Sequence, residues 1–331
     1  MHISLKIPVF TAILCMSFFA GCTSAPKELL TVDFQKDNTL RYKFVSAREI
    51  TMDWGEAKSG NQKAKSHTQK TSESMEMIVA YEPLEIDPYG LTTIKATFES
   101  VKIKRSAKKG RRGIRKAKDA VQTLAGKTFT FTVGPSGKIE DYSQLEKLID
   151  ETVEKAFRSK SAQRRIKEPD MISDFVATQW FLWDAIATVQ NPIEGVSVGQ
   201  TWNSRLWVPF PMVLRKARDV TYKLEEIRET EEGKIAVITS SYAQTKSLPS
   251  KWPKLYSGAF QMSGMFGFLR GYKVLDLQGS GEELFNIDKG RTEQYEQNID
   301  IKLSASMAMP IGPSPKINIK HKLTMKLLEK K

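Results

Sequence analysis

Apolar and polar residues alternate with period two over much of the chain, the pattern of a strand with one buried face. Leu40, Tyr42 and Phe44 alternate with Arg41, Lys43 and Val45, and Met75, Met77, Val79 and Tyr81 repeat the pattern. Between them, Gly55 to Ser74 holds no aliphatic residue larger than Ala, which predicts a long solvated loop. Leu91 to Arg105 predicts a third strand, with Thr92, Ile94, Ala96 and Phe98 on one face. Gly126 to Val133 predicts another, turned by Pro135-Ser136-Gly137 into Lys138 to Tyr142 as a hairpin.

Two stretches read as helices. Ser143 followed three residues later by Glu146 is a capping-box signature, and Leu145, Leu148, Ile149, Val153 and Phe157 share one helical face, so a helix is expected over 144–157. A second is expected over 170–189, ending before Asn191-Pro192. Its residues Phe175, Val176, Trp180, Phe181, Leu182, Trp183 and Ile186 are apolar nearly all round, the mark of a buried helix. Phe129, Phe131, Trp180, Leu182 and Trp183 are therefore expected in the core. Beyond Gly199 about eight short strands follow without a helix between them, which argues for an antiparallel meander or curved sheet. The expected class is α+β, predominantly antiparallel β with two helices, arranged as an N-terminal domain over 39–190 and an all-β domain over 191–331. The hairpin at 131–142 is echoed at 285–295, Gly137-Lys138-Ile-Glu140-Asp-Tyr142 against Gly290-Arg291-Thr-Glu293-Gln-Tyr295, a hint of duplicated halves.

The first residues do not belong to this pattern. Ile7 to Ala20 is uncharged and mostly apolar, too short to span a bilayer as a helix but suited to a signal-peptide core. It ends in Phe19-Ala20-Gly21-Cys22, which resembles the lipobox of bacterial lipoproteins. That resemblance implies cleavage between Gly21 and Cys22, a signal peptide over 1–21, acylation of the Cys22 thiol with palmitate and a tether over 22–38. Thr23, where an inner-membrane retention Asp would stand, implies the periplasmic face of the outer membrane. Cys15 and Cys22 are the chain's two cysteines, so a disulfide scaffold and a Cys-rich zinc site are excluded.

The net charge of +13 over 331 residues is concentrated. Lys102, Lys104, Arg105, Lys108, Lys109, Arg111, Arg112, Arg115, Lys116 and Lys118 form a run without an acidic residue, and Lys155 to Lys167 is a shorter one. Together they exceed the net charge, so the remainder is slightly acidic. The first run has glycines and no aromatic residue to stack bases, and an exported protein does not meet nucleic acid, so its expected partner is anionic lipid, lipopolysaccharide or a cell-wall polymer.

Nothing in the sequence builds a catalytic constellation. Gly126-Lys127-Thr128 lacks the upstream glycine of a phosphate loop, Ser136 lacks the spacing of a nucleophile elbow, and Gly279-Ser280-Gly281 runs into Glu282-Glu283. Past the signal region the histidines are His67 and His321, too few for a triad or a multi-His metal site, and Glu282 with Glu293 is the one carboxylate pair worth naming. No enzyme activity and no cofactor are expected.

Leu40-Arg-Tyr-Lys-Phe44, the Gly126 to Tyr142 hairpin with its capped helix, Val198-Gly-Gln-Thr-Trp202 and Gly281-Glu-Glu-Leu-Phe285 resemble the uncharacterised lipoproteins of bacteria built from domains of unknown function. The resemblance implies a non-catalytic envelope role, scaffolding or binding a polyanionic component. The alternative is a lipid or lipoprotein carrier whose curved sheet holds acyl chains around Trp180 and Trp183.

Overall fold

The computed structural model describes residues 26–36, 38–55, 68–105, 121–135, 194–207, 217–247, 269–307 and 314–328, with short pieces between 137 and 151. Its strands are β1 (Leu40–Asp53), β2 (Thr68–Ile86), β3 (Thr92–Arg105), β4 (Thr128–Val133), β5 (Ile139–Asp141), β6 (Thr201–Trp207), β7 (Ala217–Thr230), β8 (Gly233–Gln244), β9 (Leu269–Asn286), β10 (Arg291–Met307) and β11 (Lys316–Leu328). They form one antiparallel sheet in the order β5-β4-β3-β2-β1-β11-β10-β9-β8-β7-β6. Sequence neighbours pair throughout except β5 and β6, which form the two edges, and β1 and β11 join in the middle of the sheet from Arg41↔Leu328 to Asp53↔Lys316.

One face of this sheet is buried across its whole width. On β1, Leu40, Tyr42, Phe44, Ser46, Arg48, Ile50 and Met52 point to it, and the residues alternating with them do not. The buried side chains form two clusters. One gathers Phe44, Met77, Tyr81, Ile94, Phe98, Phe129 and Phe131 with their neighbours. The other gathers Ile50, Trp202, Val220, Leu224, Phe285, Ile301 and Ile319 with theirs. Phe129 and Phe131 are buried as expected, with Tyr81 edge-on to Phe131 at a centroid distance of 6.0 Å. The opposite face carries cross-strand ion pairs such as Arg41 with Glu99 at 2.6 Å, Lys43 with Glu76 at 2.8 Å and Lys302 with Asp276 at 3.0 Å. Half-exposed pairs of this kind contribute under about 1 kcal/mol each, so they fix register more than stability.

The antiparallel register places the β2–β3, β4–β5, β7–β8 and β9–β10 turns at one end of the sheet. A strap from the N-terminal side crosses beneath that end. Glu28 pairs with Val196 in both directions at 2.8 and 2.9 Å, Val32 N–H donates to Pro135 O at 3.1 Å, and Asp33 N–H donates to Gly290 O at 2.8 Å. Leu30 is buried in one cluster and Phe34 in the other. Part of the stretch expected as a tether is thus folded, and it touches both of the echoing hairpin turns.

The α+β expectation is corrected: the described chain is nearly all antiparallel β in one sheet. Helical turns occur at Ser143–Leu145, at Lys147 and Leu148 and at Glu151, where the capping box pointed; the rest of 144–157, and all of 170–189 with Trp180, Leu182 and Trp183, lie outside the described residues. The sheet also runs unbroken across the boundary expected near residue 190, because β1 and β11 pair along their length. Two strand limits differ for one reason. β2 begins at Thr68, inside the expected loop, and β9 joins two expected strands through Gly279 and Gly281. At these places the positions in the buried phase are Thr71, Glu73, Gly279 and Gly281, so the apolar alternation falls silent while the backbone stays extended.

Candidate functional site

Those silent positions line up. Following cross-strand partners, Glu73 stands opposite Arg48, Arg48 opposite His321, His321 opposite Ile299, Ile299 opposite Gly279 and Gly279 opposite Tyr242. The adjacent row runs Ser46, Leu323, Gln297, Gly281, Ser240. A band rich in polar and glycine positions, interrupted by Ile299 and Leu323, therefore crosses the buried face between its apolar side chains.

The band is held by direct contacts. Arg48 Nη2 donates to Glu73 Oε2, with both side chains buried. Ser46 Oγ and His321 Nε2 are 2.8 Å apart. Ser240 Oγ donates to Tyr242 Oη at 2.9 Å, and Tyr242 Oη lies 3.4 Å from Tyr295 Oη. The Tyr242 ring lies against the glycine strand: a Cβ at Gly279 would come within 2.6 Å of Tyr242 Cδ2, and one at Gly281 would collide with Tyr242 Oη and Ser240 Oγ. The Gly279-Ser280-Gly281 motif thus makes room for a tyrosine, while Ser280 itself is exposed. Arg218, fully buried on β7, sets its guanidinium carbon 4.8 Å from the centroid of the same ring.

Burial governs the charge states. His321 is pushed down to about 3, first by desolvation and then by the positive charges of Arg48 and Arg218, so its imidazole is neutral. Glu283, on β9 opposite Tyr295, is raised to about 7 by desolvation, against the opposing effect of the hydrogen bond that Thr292 Oγ1 donates to it. Burial likewise raises the hydroxyls of Tyr42 and Tyr81. Gln297 is wholly buried, and among the described residues neither atom of its side-chain amide has a hydrogen-bond partner. Such a group costs about 1–3 kcal/mol when left unmade, which marks a position kept for something besides packing.

A groove of about 990 Å³ crosses the same middle strands, lined mostly by residues of the outward phase such as Glu49, Ser74, Lys104, Asp300, Lys320 and Lys322, together with Arg48, Glu73 and His321 from the band. Of the basic residues expected to bind polyanions, Lys102 donates to Glu76 at 3.3 Å, Lys104 reaches the groove and Arg105 ends β3. Lys108, Lys109, Arg111, Arg112, Arg115, Lys116 and Lys118 lie outside the described residues, as do Gly21, Cys22 and His67. Glu282 and Glu293 are not brought into register: Glu282 pairs with Glu296, and Glu293 accepts from Arg291 at 3.0 Å. No group of three or more His, Cys, Asp or Glu among the described residues can hold a metal ion. No described helix is long and apolar enough to cross a membrane.

The sequence reading missed Arg48, Glu73, Arg218, Glu283 and Gln297 as a set. Their signal was present as polar residues in the buried phase of an otherwise apolar alternation, Ser46 and Arg48 after Phe44 and before Ile50.

No curated protein matches the chain. A structure of lipovitellin concerned with lipid–protein interactions aligns with 90% of this chain and 26% of its own at 11% identity and a TM-score of 0.46. The open-gate Salmonella SPI-1 type III secretion secretin InvG aligns with 88% of this chain and 61% of its own at 7% identity and a TM-score of 0.15. The chain therefore spans about a quarter of the lipovitellin chain it aligns with. Residues 89–290, from the β2–β3 turn to the β9–β10 turn, match the model of a family of unknown function, DUF6263, and the chain belongs to that family.

Proposed function

We propose that the protein is a non-catalytic, lipid-anchored cell-envelope protein that holds an amphiphilic, lipid-like molecule on the buried face of its sheet. The observation that carries this reading is the polar band between apolar side chains of the buried face, in which the wholly buried Gln297 amide has no partner among the described residues. A sheet that needed only a core would place apolar residues there, because a buried ion pair is seldom better than well-packed hydrocarbon. An amphiphile needs both: apolar walls for its chains and convergent donors for its head. The Gln297 amide supplies a donor and an acceptor at mid-sheet.

Native mass spectrometry of protein extracted from membranes in mild detergent tests this. The chain is expected to carry one lipid-sized adduct. Gln297→Leu is expected to lower its occupancy about tenfold, the worth of one or two hydrogen bonds to a polar head. The same change leaves the fold intact, since it replaces an unpaired buried amide by hydrocarbon. A wild-type chain without any adduct would sink the proposal.

A polyanionic ligand is the second reading, favoured by Lys104, Lys320 and Lys322, which line the outward-facing groove. Its adduct would be a phosphorylated glycan in place of a lipid. The anchor is tested separately. Cys22→Ser is expected to abolish incorporation of labelled palmitate and leave an unprocessed precursor; unchanged labelling would remove the anchor from the proposal.

A further inference from the structure

Large apolar side chains left exposed among the described residues are Leu29, Leu84, Ile86, Tyr89, Leu91, Val198 and Leu275. Four of the seven sit on one hairpin tip. β2 runs on from Glu82 to Ile86 past its last pairing with β1, Leu40↔Tyr81, and turns into β3 through Asp87-Pro88-Tyr89-Gly90-Leu91. Tyr89 is 86% exposed, more than any other large apolar residue described.

The tip is a built shape. Asp87 Oδ1 accepts from Tyr89 N–H and Leu91 N–H, both at 2.8 Å, and Asp87 O accepts from Gly90 N–H at 3.1 Å. Gly90 holds φ at +82°, and a Cβ there would meet Pro135 Cγ at 2.8 Å, so only glycine closes this turn against the β4–β5 turn. The Asp87 carboxylate is thereby spent on the turn's own backbone, and Tyr89 and Leu91 are held outward. An ordered protrusion of Leu, Ile, Tyr and Leu stays apolar and solvent-facing at a standing cost, which points to a surface that covers it.

The occupant follows from where the chain enters. Pro135, whose side chain abuts Gly90, also receives the strap's Val32 N–H, and Leu29 on the same strap is 58% exposed. Cys22 stands only six residues before Glu28, the first residue paired to the body, a span of roughly 20 Å when extended. An acyl chain on Cys22 and the hairpin tip therefore emerge from the same end of the sheet.

We infer that the Leu84–Leu91 hairpin tip enters the interface of the bilayer that holds the acyl chain, with Tyr89 at head-group depth. Tyrosine prefers that depth, with its ring in hydrocarbon and its hydroxyl among head groups. Glu82, Glu85 and Asp87 flank the tip, so a zwitterionic surface suits it better than an anionic one. β3 then runs away from the membrane, which puts Lys102 and Lys104 at the far end of the sheet.

This inference rests on the anchoring reading for the position of the bilayer, and the test separates the two. Full-length Tyr89→Trp and Leu275→Trp variants are placed in phosphatidylcholine vesicles with and without brominated phosphatidylcholine, which quenches tryptophan at membrane depth. Relative to wild type, the emission added by Tyr89→Trp is expected to lose about half or more of its intensity to the brominated lipid, and that added by Leu275→Trp, exposed on β9, to lose little. Equal quenching at both positions, or none at Tyr89→Trp, overturns the inference. Palmitate labelling of the same samples reads the anchor independently: labelled protein without quenching at Tyr89→Trp loses the tip and keeps the anchor, and quenching without label does the reverse.

Discussion

Replacing Arg48 with Met is expected to destabilise the protein by about 3–5 kcal/mol, the ordinary cost of stranding one partner of a buried ion pair. The size follows from what would be left behind. Glu73 is buried beside it on β2, and the nearest polar neighbours across β11 and β1 are His321, held neutral, and Ser46. Without the guanidinium the Glu73 carboxylate must take up a proton, draw in water or loosen the pairing of β2 with β1. The double variant Arg48→Met with Glu73→Leu is expected to recover most of the loss, because hydrocarbon of similar volume replaces the whole pair. Urea melts of wild type, both single variants and the double variant measure the coupling. A single-variant loss below about 1 kcal/mol would show that water reaches the pair and that the band is a wet groove.

The same residues explain what the sequence disclosed and what it withheld. Period-two alternation located β1 at Leu40 to Phe44, β2 at Met75 to Tyr81, the Gly126 to Tyr142 hairpin and most strands beyond Gly199. It failed where Ser46, Arg48, Glu73, Gly279 and Gly281 occupy the buried phase, since alternation reports hydrophobicity and not extension. Those failures trace the polar band, so the gaps in the alternation outline the candidate site. The pairing of β1 with β11 could not be read from local pattern, because sheet order depends on contacts between residues some 275 positions apart, such as Ser46 and His321. Pattern likewise gave no reason for Gly279-Ser280-Gly281, which a motif search treats as a failed catalytic loop and the fold uses as a shelf for Tyr242.

Stability should depend on pH through two buried groups of opposite sign. Glu283 binds its proton more tightly folded, about 7 against an ordinary 4.5, so its contribution is fully present below pH 4.5 and is lost as pH rises through about 7. His321 binds its proton less tightly folded, about 3 against an ordinary 6.5, so its contribution is fully present above pH 6.5 and is lost as pH falls towards 3. Between pH 4.5 and 6.5 the folded chain keeps one proton that the unfolded chain releases at Glu283, and lacks one that it takes up at His321, so the two slopes cancel. Above pH 6.5 only Glu283 acts, and stability should decline by about 1 kcal/mol as pH passes through about 7, since each tenfold difference in proton affinity is worth about 1.4 kcal/mol and only about half a unit of the shift remains. Thr292 donates to this carboxyl, Tyr295 stands opposite it, and the Tyr42 hydroxyl feels its charge. Desolvation dominates there, and the Thr292 hydrogen bond is the influence that opposes it. Glu283→Gln, which keeps an acceptor for Thr292 and cannot ionise, is expected to flatten the profile from pH 6.5 to 9 and to be more stable than wild type at pH 8. Urea midpoints at pH 5.5 and 8 for both chains decide it. Profiles that run parallel at the two pH values would place the titrating group elsewhere in the sheet.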